Sequence, residues 1–405
     1  MKKIAVFTLL ASLMIFTACQ DPIYEAIRED VKPEEATVSG NIGFVTRYTA
    51  NDTEFLVLAA DDGLRYKQKD KGSHGEWNTF SIPFGLHSYD FDSSSHSGEQ
   101  IVAVLANSNT LYMISAVYAH TSTEGLSYPS NIKLWGRQIS ANGNKWNSEG
   151  KWTLITENNS TLFPIGVYSD TGYYGTNFGV FQTNAPMAAH RAAFIWVYNS
   201  ETKGYRYYKL DGLEVPSEIT IENTAIYDPE PSSNANYVPC ARSAAYFNGE
   251  IKFCTSPIAT TNETYSEEAT YFYYTNSNNK LYFNNGTAAS FIEADSDYVI
   301  SSLAVTADSI LIGYGSMKSG SAGGIDRATL TAGVPVKLAN FSTNAQFQIT
   351  RSYIVLTLLN ATPEKKETDS DLYAAITFSG TSANFDNIGL WSYYPSRGSH
   401  GWNRE

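Results

Sequence analysis

An all-β fold built from repeated four-stranded units is predicted by three observations. The first is a hairpin signature that recurs along the chain. Gly63-Leu64 leads to Gly72-Ser73-His74-Gly75 and then, after Glu76, to Trp77-Asn78, and Gly389-Leu390 leads at the same spacing to Gly398-Ser399-His400-Gly401 and, one residue sooner, to Trp402-Asn403. Leu134-Trp135 reaches Trp146-Asn147 over the interval that separates Leu390-Trp391 from Trp402-Asn403. The second is short runs rich in Tyr, Phe, Val and Ile, bounded by Asn, Gly, Ser and Thr clusters, the pattern of strands and turns. The third is that after the N-terminal segment no long amphipathic helical period appears.

Taken in order, the runs fall into sets of four. Phe44–Tyr48, Glu54–Ala60, Leu64–Lys69 and Trp77–Ile82 form the first, with Asp61-Asp62-Gly63 as a turn. Ile101–Ala106, Thr110–Tyr118, Ile132–Gln138 and Trp152–Thr156 form the second, and Ile165–Ser169, Phe178–Thr183, Ala193–Tyr198 and Tyr205–Leu210 the third. The fourth comprises Arg242–Phe247, Glu250–Thr255, Thr270–Thr275 and Lys280–Phe283 around the turn at Asn248-Gly249. Ile300–Thr306, Ser309–Tyr314, Gly324–Leu330 and Val334–Leu338 make the fifth, and Ile354–Leu359, Leu372–Phe378, Ile388–Tyr394 and the stretch from Trp402 the sixth.

Four antiparallel strands per unit, with aromatic motifs repeating per unit, describe a β-propeller. Six blades are expected, with a seventh as the alternative if Asp211 to Pro239, which holds the strand-like run from Glu218 to Tyr227, contributes one. A multi-sheet sandwich is the competing architecture, whereas a β-helix would show much shorter repeats. The segment Ala36 to Gly40 is a candidate strand for ring closure. The recurring Trp residues read as packing residues, and His74 and His400 as solvated turn residues.

The N-terminus carries Lys2 and Lys3, an apolar run from Ile4 to Phe16, and small residues before Cys19, the organisation of an export signal. Residues 1–18 are expected to be a leader, 19–37 a lipidated cysteine with an acidic, Pro-bearing tether, and 38–405 one propeller domain. The formal net charge is -13. Such a surface repels nucleic acid, so no nucleic-acid partner is expected. Cys240 and Cys254 flank the Asn248-Gly249 turn. A tight hairpin there places 240 opposite 257 and 254 opposite 243, out of register for a disulfide, and both read as small buried residues.

In a propeller the second-to-third and blade-to-blade connections share one face, where ligands usually sit. The long loops expected there are His120–Asn131, Asn184–Ala192, Asp211–Cys240 and Ile258–Ala269. They supply His120, Tyr128, His190, Arg191, Tyr227, Asp228, Glu230, Tyr265, Glu267 and Glu268 as ligand-binding candidates. Arg242, near the start of an inner strand, is expected beside the central channel. Arginines and carboxylates suit a polar ligand, and Tyr or Trp faces suit sugar rings. No metalloprotease, P-loop, dinucleotide or nucleophile-elbow motif is present. The acidic pairs Asp90/Asp92, Asp295/Asp297 and Asp369/Asp371 lack a full ligand run, so no metal and no cofactor are expected. The Trp turns lack the Ser-x-Asp-x-Gly order of sialidase propellers. A glycosidase would need two carboxylates facing across a bond, for which Asp228, Glu230, Glu267 and Glu268 are available.

Phe16-Thr17-Ala18-Cys19 resembles a bacterial lipobox. Together with the acidic tether, the Tyr/Asn/Ser-rich strands and the repeated hairpin, the chain resembles the propeller-type lipoproteins of gut Bacteroidetes, many of unknown function. The resemblance implies an outer-membrane lipoprotein, surface-exposed or periplasmic, held to the membrane by its lipid alone. It also implies a role in glycan or nutrient acquisition, and it transfers no catalytic residue. A non-catalytic module binding a glycan or an envelope protein is the reading carried forward. The alternatives are a carboxylate-pair glycoside hydrolase or lyase, and an envelope scaffold.

Overall fold

The computed structural model describes residues 38, 42, 44–50, 53–60, 63–70, 73–74, 76–83, 86–87, 99–120, 127–138, 151–168, 173–176, 178–185, 187–199, 204–220, 237–247, 250–259, 280–284, 289–293, 298–305, 309–316, 324–331, 334–341, 353–361, 371–378, 389–393 and 402–405. The expected leader and tether lie outside these residues.

Blade I consists of β1 (Val45–Ala50), β2 (Thr53–Ala60), β3 (Gly63–Asp70) and an outer edge split into β4 (Ser73–His74) and β5 (Asn78–Thr79), both paired with β3. In blade II, β6 (Leu86–His87) adds a short parallel strand inside β7 (Glu99–Ala106), followed outward by β8 (Thr110–His120), β9 (Ser127–Gln138) and β10 (Thr153–Glu157). A separate hairpin, β11 (Ile165–Tyr168) and β12 (Tyr173–Thr176), precedes blade III. Blade III is β13 (Phe178–Asn184), β14 (Ala193–Asn199), β15 (Gly204–Leu210) and β16 (Ser217–Ile219). A hairpin of β17 (Tyr237–Phe247) and β18 (Glu250–Ala259) joins β13 through a short parallel pairing at Thr183↔Ala244, and β19 (Lys280–Asn284) pairs with β20 (Ala289–Glu293). Blade IV is β21 (Tyr298–Val305), β22 (Ser309–Ser316), β23 (Gly324–Thr331) and β24 (Val334–Asn340). Blade V is β25 (Tyr353–Asn360), β26 (Leu372–Phe378), β27 (Gly389–Tyr393) and β28 (Trp402–Arg404).

The fold is therefore an all-β propeller with five blades of four antiparallel strands, and the expected count of six is corrected. Among the described residues the expected fourth unit contributes only the β17–β18 hairpin and its last strand, β19, which pairs with β20. Its expected third strand, 270–275, lies outside the described residues. The β17–β18 hairpin instead fills the place between blades III and IV, where its inner strand meets β13 on one side and β21 on the other. The third unit is also shifted by one strand. Ile165–Tyr168 leaves for its own hairpin, Phe178–Asn184 becomes the inner strand, and Ser217–Ile219, within the stretch considered for a seventh blade, becomes the outer one.

The sequence pattern of β2 shows how the blades stack. Its residues from Leu56 to Ala60 are buried on both faces. Leu56 and Leu58 pack with Leu359, Tyr373 and Leu390 of blade V, while Phe55, Val57 and Ala59 pack with Val104, Leu111 and Met113 of blade II. Period-two alternation thus divides one strand between two interblade cores. Truncating a residue such as Leu56 to alanine costs about 2–5 kcal/mol. The repeated Gly-Leu dipeptide has a backbone cause. Gly63 and Gly389 open the third strands of blades I and V at φ 115 and 128, a region closed to ordinary side chains. A Cβ on Gly63 would meet nothing within 4 Å, so conformation rather than space selects glycine.

The Trp residues of the repeat stand at the head of the outer edge. Trp77 immediately precedes β5, and Trp402 begins β28. In blade II the equivalent place belongs to Trp152, directly before β10, whereas Trp146 lies outside the described residues. Cys254 lies opposite Ser243 as expected, and a bulge between Ala241 and Ser243 moves Cys240 opposite Ser256 rather than 257, which leaves the two cysteines out of register.

Candidate functional site

Two constellations stand out, one charged and on the ring axis, the other aromatic and at the loop-bearing end of blade III.

The charged one is built by three blades. The β1–β2 hairpin sets Thr49 across from Glu54. Arg47 pairs with the Glu54 carboxylate and donates through Nη1 to the Asn360 carbonyl of blade V at 3.3 Å. From the β13–β14 connection, Arg191 reaches Glu54 Oε1 at 2.9 Å, Thr49 Oγ1 at 2.7 Å and the Ala185 carbonyl at 3.2 Å. Thr49 Oγ1 donates to the same carboxylate at 2.5 Å, and Gln182 Nε2 donates to the Val45 carbonyl at 2.9 Å. Burial by itself would raise the Glu54 pKa, but the two guanidiniums outweigh it and hold the carboxyl below the ordinary carboxylate range. An ionised carboxylate clamped by two arginines neither gives nor takes a proton near neutrality. The cluster bolts blades I, III and V together.

A second carboxylate is held in the same manner in blade II. Lys133 lies 2.9 Å from Glu99 and 3.8 Å from Glu157, Ser115 donates to Glu99 at 2.5 Å, and Trp135 Nε1 donates to Ser115 at 2.8 Å. The bond to Glu99 raises the Lys133 pKa and keeps a cation between the two carboxylates. Asp326 on β23 differs. Burial pushes its carboxyl up to about 6, opposed only in part by a hydrogen bond from Tyr314.

The aromatic constellation follows from alternation on β13, β14 and β15. Gly179, Trp196 and Tyr207 lie in one cross-strand row, Phe181 and Phe194 in the next, and Tyr198 faces Tyr205 at the far end. Phe181 and Phe194 stack at 4.9 Å and are buried with Ala192 and Ala244 of β17. Toward the β14–β15 connection the cover thins, and Trp196, Tyr198 and Tyr205 are only half-buried. Tyr205 sits edge-on to Trp196 at 5.7 Å and tilted to Tyr198 at 5.2 Å. A Cβ on Gly179 would fall 2.5 Å from the Trp196 indole, so the absent side chain is what lets the indole settle across β13. Unlike the charged cluster, this group stands on the face that carries the second-to-third connections.

The sequence-derived candidates fare unevenly. Tyr227, Asp228, Glu230, Tyr265, Glu267 and Glu268 lie outside the described residues, as does Cys19. His120 and Tyr128 are strand residues rather than loop residues. The β8–β9 ladder runs on to His120↔Ser127, with Ala119 opposite Tyr128, because a bulge at Val117/Tyr118 resets the register and lets pairing continue past Pro129. His190 ends a single 3-10 turn, Ala188–His190, and Arg191 follows it. With β13 as an inner strand, their loop is a first-to-second connection and lies on the face opposite to the expected one. Arg242 is the extra residue of the bulge on β17, the inner strand of its hairpin, one pair farther from the turn than the bulges of β7, β21 and β25. Bulges re-aim chain at such positions. Sequence reasoning missed Arg47, Thr49 and Glu54, although the tight β1–β2 hairpin makes Thr49 and Glu54 cross-strand partners. It also missed Trp196, Tyr198 and Tyr205, for which the spacing of two between Trp196 and Tyr198, and between Tyr205 and Tyr207, was the available signal.

No protein-family model matches this chain, and no curated protein matches it. Among solved structures, an ancestral GH74 enzyme aligns with TM-score 0.44 and 11% identity over 88% of this chain and 48% of that one, so this chain spans about half its length. A triple mutant of AofleA from Arthrobotrys oligospora gives 0.43 and 12% over 91% and 87%, and a glycosyl hydrolase from Bacteroides ovatus 0.33 and 10% over 91% and 88%. The architecture therefore rests on this chain's own strand order, and no function is taken from these likenesses.

Proposed function

We propose that the chain is an exported, lipid-anchored propeller that binds a glycan, or a partner protein in glycan uptake, without catalysing a reaction. The observation that carries this reading is the half-buried group of Trp196, Tyr198 and Tyr205 on the loop-bearing face. Aromatic rings held in place by packing offer stacking surfaces for sugar rings at little entropic cost. The anchor at Cys19 rests on the lipobox-like Phe16-Thr17-Ala18-Cys19, the tether on the acidic stretch that follows it, and placement in the outer membrane on the resemblance to the propeller-type lipoproteins of gut Bacteroidetes. Three carboxylates are held in structural ion pairs, since Glu54, Glu99 and Glu405 are each tied to a buried or half-buried cation.

Affinity electrophoresis of the chain without its leader, against a panel of host and plant polysaccharides, tests the reading. Retardation without released sugar is the expected result, and retardation must weaken when Tyr198 and Tyr205 are both replaced by alanine. Retardation by no polysaccharide would leave a protein partner as the only version still standing, to be sought by pull-down from envelope extracts.

One observation favours a second reading, a glycoside hydrolase. Burial pushes the Asp326 carboxyl up to about 6, in the range of a general acid, and the reading further requires a second carboxylate facing it across a cleft. Release of reducing sugar that is lost on Asp326→Asn would establish it, and intact polysaccharide throughout would remove it.

A further inference from the structure

Blades I and V share a buried apolar core. Every other pair of neighbours along the chain is joined by the chain itself, whereas this pair meets only through contacts. Val38 and Ile42, which precede β1, are buried between them with Trp77, Tyr373 and Leu390. The Val38 N–H donates to the Glu405 carbonyl at 3.3 Å, and the Glu405 N–H donates to the Leu390 carbonyl at 2.9 Å. The Glu405 side chain turns inward, where Lys67 Nζ lies at 2.7 Å and Trp77 Nε1 at 2.9 Å. Lys67 also lies over the rings of Trp77 and Tyr373, at 5.4 and 5.9 Å.

The same repeat position is occupied differently at the next junction. Arg137 follows Leu134 as Lys67 follows Leu64. It stacks on Phe80 of blade I at 4.7 Å and donates to the neutral Ser81 hydroxyl at 3.0 Å. At the I–II junction the cation therefore finds an aromatic face and a hydroxyl, and at the V–I junction it finds a buried carboxylate. A buried ion pair is strongly coupled, because removing one partner leaves the other charge unanswered in a poorly solvating place. The V–I junction concentrates that dependence in one side chain.

We propose that the junction of blades V and I is a latch, closed by the Glu405 side chain together with Val38 and Ile42, and that it opens before the junction of blades I and II does. The N-terminal residues act here as the missing blade-to-blade connection, crossing from the outer edge of blade V to the inner strand of blade I.

Hydrogen exchange read by mass spectrometry on the full chain tests this. In Glu405→Gln the amides of β1 and β28 should exchange at least tenfold faster, while those of β8 and β9 stay unchanged. Lys67→Met, which removes the other half of the pair, should accelerate β1 and β28 in the same way and leave β8 and β9 unchanged. Unchanged rates in Glu405→Gln, or equal acceleration in all blades, would overturn the latch. If that variant does not accumulate folded, the unmodified chain decides under rising denaturant. The latch requires β28 to lose protection at a lower concentration than β8 and β9, and loss in the same step or the reverse order refutes it.

Discussion

The Lys67 ammonium lies 2.7 Å from the carboxylate of Glu405, joining two side chains 338 residues apart. Burial would raise the Glu405 pKa, but Lys67, with hydrogen bonds from Ser392 and Trp77, lowers it below the ordinary range. A carboxyl whose folded pKa lies below its unfolded value contributes stability that is present above the unfolded pKa and lost as pH falls through the folded one. The contribution of this pair to the denaturant midpoint should therefore be constant from neutrality down to the ordinary carboxylate range and be lost below it. Glu405→Gln should flatten part of the midpoint's decline there, and an unchanged slope would show that the pair contributes nothing.

Arg191 is the residue on which the axial cluster depends. Arg191→Ala leaves Glu54 and Thr49 short of their shared donor and should destabilise by about 3–5 kcal/mol in urea titrations. Arg191→Lys should recover less than half of that loss. A single ammonium cannot reach the Ala185 carbonyl, Thr49 and Glu54 with the geometry of a guanidinium fork.

Asp326 has the opposite sign of linkage. Its folded pKa of about 6 lies above the ordinary value, so its favourable contribution is complete below the unfolded pKa and is lost as pH rises through about 6. Asp326→Asn should then stabilise the protein by about 1–3 kcal/mol at pH near 7 and have little effect near pH 4. Equal effects at both pH values would mean that the carboxyl is not held protonated.

Gly179→Ala tests the aromatic platform from below. The new methyl group would sit 2.5 Å from the Trp196 indole and must displace it. Stability should fall by about 1–3 kcal/mol, with a changed near-UV dichroism signal. Polysaccharide retardation should weaken in parallel if Trp196 is a binding surface. Loss of the spectral signal with retardation intact would move the binding site elsewhere.

Much of the architecture was legible because it depends on local rules. In blades I, II, IV and V the expected strands match the observed ones to within a few residues, since alternation and glycine turns act over a few neighbours. Gly63 and Gly389 marked the third strands through a backbone constraint that no other residue meets as well. The third unit went out of phase because Ile165–Tyr168 has the composition of a blade strand but pairs with Tyr173–Thr176, and pairing partners leave no trace in composition. That slip carried Arg191 to the wrong face. Whether β18 found a third neighbour within its own unit was equally invisible, and the blade count changed with it.

By itself, the sequence determined that the chain would form strands, that four of them would make a unit, and that Trp77 and Trp402 would stand at equivalent places. Periodicity and turn chemistry act within a unit and need no knowledge of its neighbours. Only the tertiary structure decided which charges meet. Arg191 of blade III meets Arg47 and Glu54 of blade I, which does not adjoin it along the chain, and Lys67 finds Glu405 only when the ring closes. A charge in sequence is a solvated residue by default, and burial among partners from distant blades is what makes it a bolt or a latch.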